Sequence, residues 1–171
     1  LWIKGAVQLD FGVSYMTKRD AFGDLMYYFP TTLKVTFLAM IVVIIVSIPL
    51  GILGAVKKDS LADKLIKFFS FIGVSTPSFW FGFLLIYIFA LKLNILRPFG
   101  LDGFSSWIMP VLTLGLMSSA INTRITRTSF LEHINNRSVW YLKVNGVHKN
   151  TIMGKYVLKN SMLPVITSLG M

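Results

Sequence analysis

Three stretches of this chain carry no charged residue: Val35 to Val56, Phe68 to Leu91 and Gly103 to Thr123. Each exceeds the roughly 18–20 residues that a helix rising about 1.5 Å per residue needs to cross a hydrocarbon core about 30 Å thick. A fourth apolar run opens at Ser161 and stops with the chain at Met171. Charged residues make up 14% of the chain, where a soluble domain carries about a quarter. The fold class is therefore all-α: a polytopic helical bundle in a membrane, with three full spans and the start of a fourth. Expected spans are about 31–56, 66–92, 104–124 and 161–171 onward, after an extracytoplasmic segment 1–30, with a long connector over 125–160. The chain begins with Leu1 and its last run ends after about three turns, so a longer parent protein is expected.

The net charge of +10 acquires a meaning once it is mapped. Lys57, Lys58, Lys64 and Lys67 follow the first run; Arg124, Arg127, Arg137, Lys143, Lys149, Lys155 and Lys159 follow the third. These connectors share one side if all three runs cross, and they hold eleven of the seventeen Lys and Arg residues. The positive-inside rule makes that side cytoplasmic. Nucleic-acid binding is set aside, since no basic face interleaved with aromatics is present. The absence of cysteine excludes disulfides and thiolate metal sites.

Several local signals refine the spans. Leu25-Met-Tyr-Tyr-Phe29 suits an interfacial helix, and Pro30-Thr-Thr32 reads as the start of the first span, with threonine as its cap. Pro49 predicts a kink, and Gly51 and Gly54 leave room for a neighbouring helix. These glycines lie ahead of Lys57-Lys58 but lack the spacing of a phosphate loop. Pro77, within Ser75-Thr76-Pro77-Ser78, predicts a broken or bent second span. Ser75, Thr76, Ser78, Ser118, Ser119 and Asn122 are candidates to line a translocation path, with hydrogen bonds inside the helix packing as the competing reading. No charge-free run contains an ionisable group of the kind that marks proton relays. His133 and His148 lack the spacing of a helical metal site, so no metal is assigned.

The segment from Arg124 to Pro164 is too long and too basic for a simple turn. Helix-compatible stretches over about 129–144 and 149–161 flank Gly146, whose freedom at positive φ suits a helix end. In order along the chain stand Pro30-Thr-Thr-Leu, Ile48-Pro-Leu-Gly51, Ser75-Thr-Pro-Ser-Phe-Trp-Phe-Gly82, Met109-Pro-Val-Leu-Thr-Leu-Gly115 and Asn160-Ser-Met-Leu-Pro164-Val-Ile-Thr. This succession resembles the inner-membrane permease subunits of the dipeptide, oligopeptide and nickel ABC importers over essentially the whole chain. Asp10-Phe-Gly12-Val-Ser14 is similar to a stretch that family carries ahead of these spans.

The resemblance implies a type I ABC importer permease fold. It also implies four kinds of partner: a second homologous permease subunit, two ATP-binding subunits, an extracytoplasmic solute-binding protein and the lipid bilayer. ATP and Mg would sit on the partner ATPase, with no cofactor and no catalytic residue on this chain. By position Gly146 matches the hallmark glycine of the family's EAA loop, with Pro164 eighteen residues later. The implied ATPase-coupling residues are Trp140, Tyr141, Leu142, Lys143, Val144, Asn145, Gly146, Val147 and His148. Arg124, Arg127, Glu132, Asn160 and Pro164 match positions that anchor the loop. The family commonly reads Tyr-Val-Arg-Thr-Ala-Arg-Ala-Lys-Gly where this chain has Ser138-Val-Trp-Tyr-Leu-Lys-Val-Asn145-Gly146. Small residues thus give way to Tyr141, Leu142 and Val144, which implies a co-adapted groove on the ATPase.

The implied activity is import of peptides, nickel or metal-chelate-type solutes across the cytoplasmic membrane of a bacterium or archaeon. A secondary carrier or channel without an ATPase is the alternative, and it leaves the long basic loop without a task. An intramembrane enzyme would need clustered His, Asp or Glu at one depth, which the charge-free runs lack.

Overall fold

The structure, a computed structural model, describes residues 2–100 and 103–170. Leu1, residues 101–102 between the second and third expected spans, and Met171 at the end of the fourth apolar run lie outside the described residues. The chain divides into two compact units, Leu1–Phe37 and Leu38–Met171.

In the first unit a short helix α1 (Trp2–Val7) leads into a loop closed by one antiparallel bridge between Val13 and Asp20. Phe11 stacks on Phe22 at 6.1 Å between ring centroids. Helix α2 (Ala21–Val56) starts here, ten residues before the expected start at Pro30-Thr-Thr32. Its cap is Asp20, whose Oδ2 accepts the Gly23 N–H at 2.6 Å, satisfying a donor that the first turn cannot use internally. The interfacial helix expected over 25–29 is thus the first part of α2, which is helical through both Pro30 and Pro49.

The second unit is organised around α5 (Ser105–Ile134), which extends ten residues beyond the expected span of 104–124 and is helical through Pro110. Its interior hydroxyls turn back on their own helix: Thr113 Oγ1 donates to Met109 O at 2.8 Å, and Thr126 Oγ1 to Asn122 O at 2.8 Å. Such bonds let polar side chains sit in an apolar setting without an outside partner. Glycines set the approach of the neighbouring helices. A Cβ on Gly51 would lie 2.5 Å from Thr126 Cβ and 2.9 Å from the Thr123 carbonyl oxygen. One on Gly115 would lie 2.7 Å from Val42 Cβ, and one on Gly73 would lie 2.5 Å from Ala120 Cβ. Gly51→Ala is accordingly expected to destabilise the protein by about 1–3 kcal/mol through overpacking. Thermal unfolding in detergent would check this, and an unchanged midpoint would show that the backbones are not held at this distance.

Helix α3 (Leu61–Ser75) is capped by Ser60, whose Oγ accepts the Asp63 N–H at 3.3 Å. It ends at Thr76, and Pro77 caps α4 (Ser78–Leu85). The Pro77 signal is realised as a bend of 101° between the two halves. Among the described residues, two helices are long and apolar enough to cross a membrane, Ala21–Val56 and Ser105–Ile134, with a third if the bent pair forms one span. The expectation of one helix over 129–144 is corrected. α5 stops at Ile134, and Asn136 caps a separate α6 (Arg137–Val144) by accepting the Ser138 N–H at 3.0 Å. Paired asparagines favour this outcome because their side chains compete for backbone donors. After α6, a helical run leads from α7 (Lys149–Thr151) into α8 (Lys159–Leu169).

Two stretches are wound as π-helix, Ile86–Lys92 and Ile152–Leu158. The first ends with the Leu93 N–H donating to Ile88 O at 2.9 Å, five residues back. The winding follows burial. Leu85 and Ala90 are both buried, as are Ile152 and Val157, and each pair is five residues apart. An α-helix would turn a residue four positions on toward the same side. At that position in the second stretch stands Tyr156, which is exposed.

Candidate functional site

Within segment 124–164 the short helix α6 stands on an apolar base. Val139 of α6 is buried in one cluster with Ala55 of α2, Phe130 of α5, and Ile152 and Val157 of the second π stretch. Leu142 and Val147 pack against the same cluster. α6 ends in a Schellman turn. The Gly146 N–H donates to Lys143 O at 3.1 Å and the Val147 N–H to Leu142 O at 3.0 Å, with Gly146 at φ +74°. That conformation is the one for which glycine carries no Cβ penalty. The apolar pairing of Leu142 with Val147 on the core completes the motif.

The opposite face of α6 is open. Trp140, Tyr141, Lys143, Val144 and Asn145 are exposed, as are Gly146 and His148. The Trp140 and Tyr141 rings meet edge to face at 5.3 Å. Asn145 Nδ2 donates to Tyr141 O at 2.9 Å, and His148 Nδ1 accepts the Asn150 N–H at 3.3 Å to start α7. Leu142 is thus half-buried against the core, while Trp140, Tyr141 and Val144 are the large apolar side chains that α6 exposes.

The expected anchoring residues separate into two groups. Arg127 forms a bidentate ion pair with Asp63, Nε to Oδ1 at 2.6 Å and Nη2 to Oδ2 at 2.9 Å, across 64 residues of sequence. Lys67 adds a contact to Oδ2 at 3.0 Å, and the Asp59 N–H donates to the same oxygen at 3.0 Å. The Asp63 side chain is fully buried. Arg127's hydrogen bonds do most to hold this carboxyl well below its ordinary value; burial opposes them, while the Asp59 N–H and Lys67 reinforce them. A Cβ on Gly54 would lie 3.4 Å from Asp63 Oδ1 and 3.3 Å from Arg127 Cδ, so this glycine leaves space for the pair. Arg124, Glu132, Asn160 and Pro164 are exposed. The tie between α5 and α8 runs instead through Ser129, whose Oγ donates to Ser161 O at 3.0 Å. Reading the sequence missed Asp63, Ser129 and Ser161. Of these only Asp63 left a signal, as the acidic third residue after a serine cap.

The six path candidates do not form one row. Thr76 Oγ1 donates to Ile72 O at 2.8 Å, Ser119 Oγ to Gly115 O at 2.6 Å and Asn122 Nδ2 to Ser118 O at 2.9 Å, so these three bond within their own helices. Thr76 and Ser119 share a largely apolar cavity of about 660 Å³ with Trp80 and Leu116. Ser75 lines a different cavity between α3 and α5, and Ser78 and Ser118 are exposed. Ser47 Oγ and Asn122 Oδ1 are buried and make no hydrogen bond among the described residues.

Comparison with known proteins places this architecture. The chain is 33% identical over 170 residues to the glutathione transport system permease protein GsiC of Escherichia coli (strain K12), covering 99% of this chain and 56% of that protein. It is 35% identical over 161 residues to the metal-staphylopine import system permease protein CntB of Staphylococcus aureus (strain NCTC 8325 / PS 47), covering 94% and 51% respectively. The chain thus spans about half the length of these relatives. The family model of the binding-protein-dependent transport system inner membrane component matches residues 47–171, a stretch that holds α3 to α8 and every residue of the α6 site. With more than half of its length inside that match, the chain belongs to the family of inner membrane components of binding-protein-dependent transport systems.

Proposed function

We propose that the protein is a pore-forming permease subunit of an ATP-driven importer in the bacterial inner membrane, and that α6 is its docking element for an ATP-binding subunit. The observation that carries this reading is the exposed apolar face of Trp140, Tyr141 and Val144, held on a fixed base inside the family match. Large aromatic side chains on a rigid support are what an interface uses as anchors. A second permease subunit, two ATP-binding subunits and an external binding protein complete the proposed assembly. ATP and Mg belong to the ATP-binding subunits, and this chain contributes no catalytic group. The cargo is a small solute of the kind named for the relatives, glutathione or a metal–staphylopine complex.

The test is a cysteine at position 140, Trp140→Cys, in the full protein expressed with its ATP-binding subunit. A bifunctional crosslinker should join the two chains, and binding of ATP should change the yield. Robust solute uptake by the permease alone, with no ATPase co-purifying, would favour a carrier or channel instead.

A further inference from the structure

The cavity between α3 and α5, about 550 Å³, is lined by both basic and apolar side chains. Lys67, Arg124 and Arg127 line one part of it, with the Thr123 and Thr128 side chains beside them. Phe71 and Val74, both exposed, line it further along α3, with Ser70 and Ser75 of the same helix beside them. Arg127 and Lys67 share the carboxylate of Asp63, whereas Arg124 makes no ion pair among the described residues. Three cations against one carboxylate leave the cavity positively charged.

Its depth follows from the sequence. Lys67 is the last charge before the run Phe68–Leu91, and Arg124 is the first after the run Gly103–Thr123. Both therefore stand where hydrocarbon gives way to headgroups, and their shared cavity puts them at the same end of two adjacent helices. Phe71 and Val74 lie one and two turns beyond Lys67, within the apolar run.

We infer that this cavity is a binding site for an anionic phospholipid, with its phosphate at Arg124 and Lys67 and an acyl chain along Phe71 and Val74. Basic pockets between membrane helices on the positively charged side collect such headgroups. A free phosphate would satisfy the cations equally well but would have no use for the apolar wall, so the amphiphile is the better fit. The site depends on membrane insertion, and not on the transport reading or on the role of α6.

The experiment uses the full protein in a zwitterionic detergent, with thermal stability and native mass spectrometry as readouts. Phosphatidylglycerol should raise the unfolding midpoint and remain as an adduct, while phosphatidylcholine and inorganic phosphate at matched concentration should not. Arg124→Gln should weaken the phosphatidylglycerol interaction about fivefold, the share of one cation near an anionic surface. Arg124→Lys, which keeps the charge, should retain it, as should Lys143→Gln on α6. Equal effects of phosphatidylcholine would overturn the proposal, and so would equal effects of inorganic phosphate, which would mark a soluble-anion site. An unchanged Arg124→Gln response would also overturn it. If that variant does not fold, the three-way comparison of ligands on the unaltered protein decides alone.

Discussion

Replacing Asp63 with Asn is expected to destabilise the protein by about 3 kcal/mol, the usual penalty for stranding one half of a buried ion pair. The Arg127 guanidinium would keep its position, 16% exposed, with no carboxylate to face. Lys67→Gln should cost less than about 1 kcal/mol, because that partner is half exposed and its pair with Asp63 is screened by solvent. Thermal or denaturant unfolding in detergent would separate the two, and equal midpoints for Asp63→Asn and the unaltered protein would show the pair to be idle. The pH dependence has a definite sign. The folded carboxyl titrates below its ordinary value of 3.8, so the pair's contribution is fully present above that value. It is lost only as pH falls further, through the folded pKa. Stability from this pair should be flat between pH 7 and pH 5, and a loss centred near pH 6 would point to another group.

Gly146→Val is expected to abolish coupled uptake, at least tenfold, while membrane insertion and expression persist. An added Cβ at this position meets nothing within 4 Å, so the effect comes from the backbone. At φ +74° a non-glycine residue costs about 1–2 kcal/mol, and a β-branched one more. That strain acts on the Schellman turn and so on the direction in which α6 presents Trp140 and Tyr141. Hydrolysis by the ATP-binding subunit of the proposed assembly should continue without cargo movement. Gly146→Asn should fall between the two, since asparagine tolerates this conformation better than valine. Full uptake by Gly146→Val would separate the turn from the coupling. If instead the crosslink from position 140 to an ATPase were never seen, the docking assignment itself would fail.

What could be read from the sequence was whatever depends on neighbours along the chain. Absence of charge marked the apolar runs, Pro77 marked the break that became a bend of 101°, and Gly146 marked the end of α6. Residues whose role depends on a distant partner stayed hidden. Asp63 stands out in the sequence only as the acid three residues after Ser60, and the approach of α5 is what lets Arg127 bury and fix it. Leu142, one of the implied coupling residues, also packs against the core, a contact that its neighbours in sequence do not reveal. The start of α2 was misplaced because Pro30 is a strong local signal, while the cap at Asp20 requires knowing that the Gly23 N–H reaches it.

The π-wound stretch Ile152–Leu158 also bears on what length of chain this fold requires. Buried positions here run Ile152, Val157, Ser161 and Val165, a spacing of five followed by two of four. Removing one residue from the interval would give fours throughout, the spacing of an unbroken α-helix. Gly154 sits inside the interval, and a side chain there would meet nothing within 4 Å. The chain therefore carries a spare residue at this point. A homologue shorter by one in this interval would seat the same inward side chains against α5, and an alignment gap there would signify straight winding rather than a lost contact.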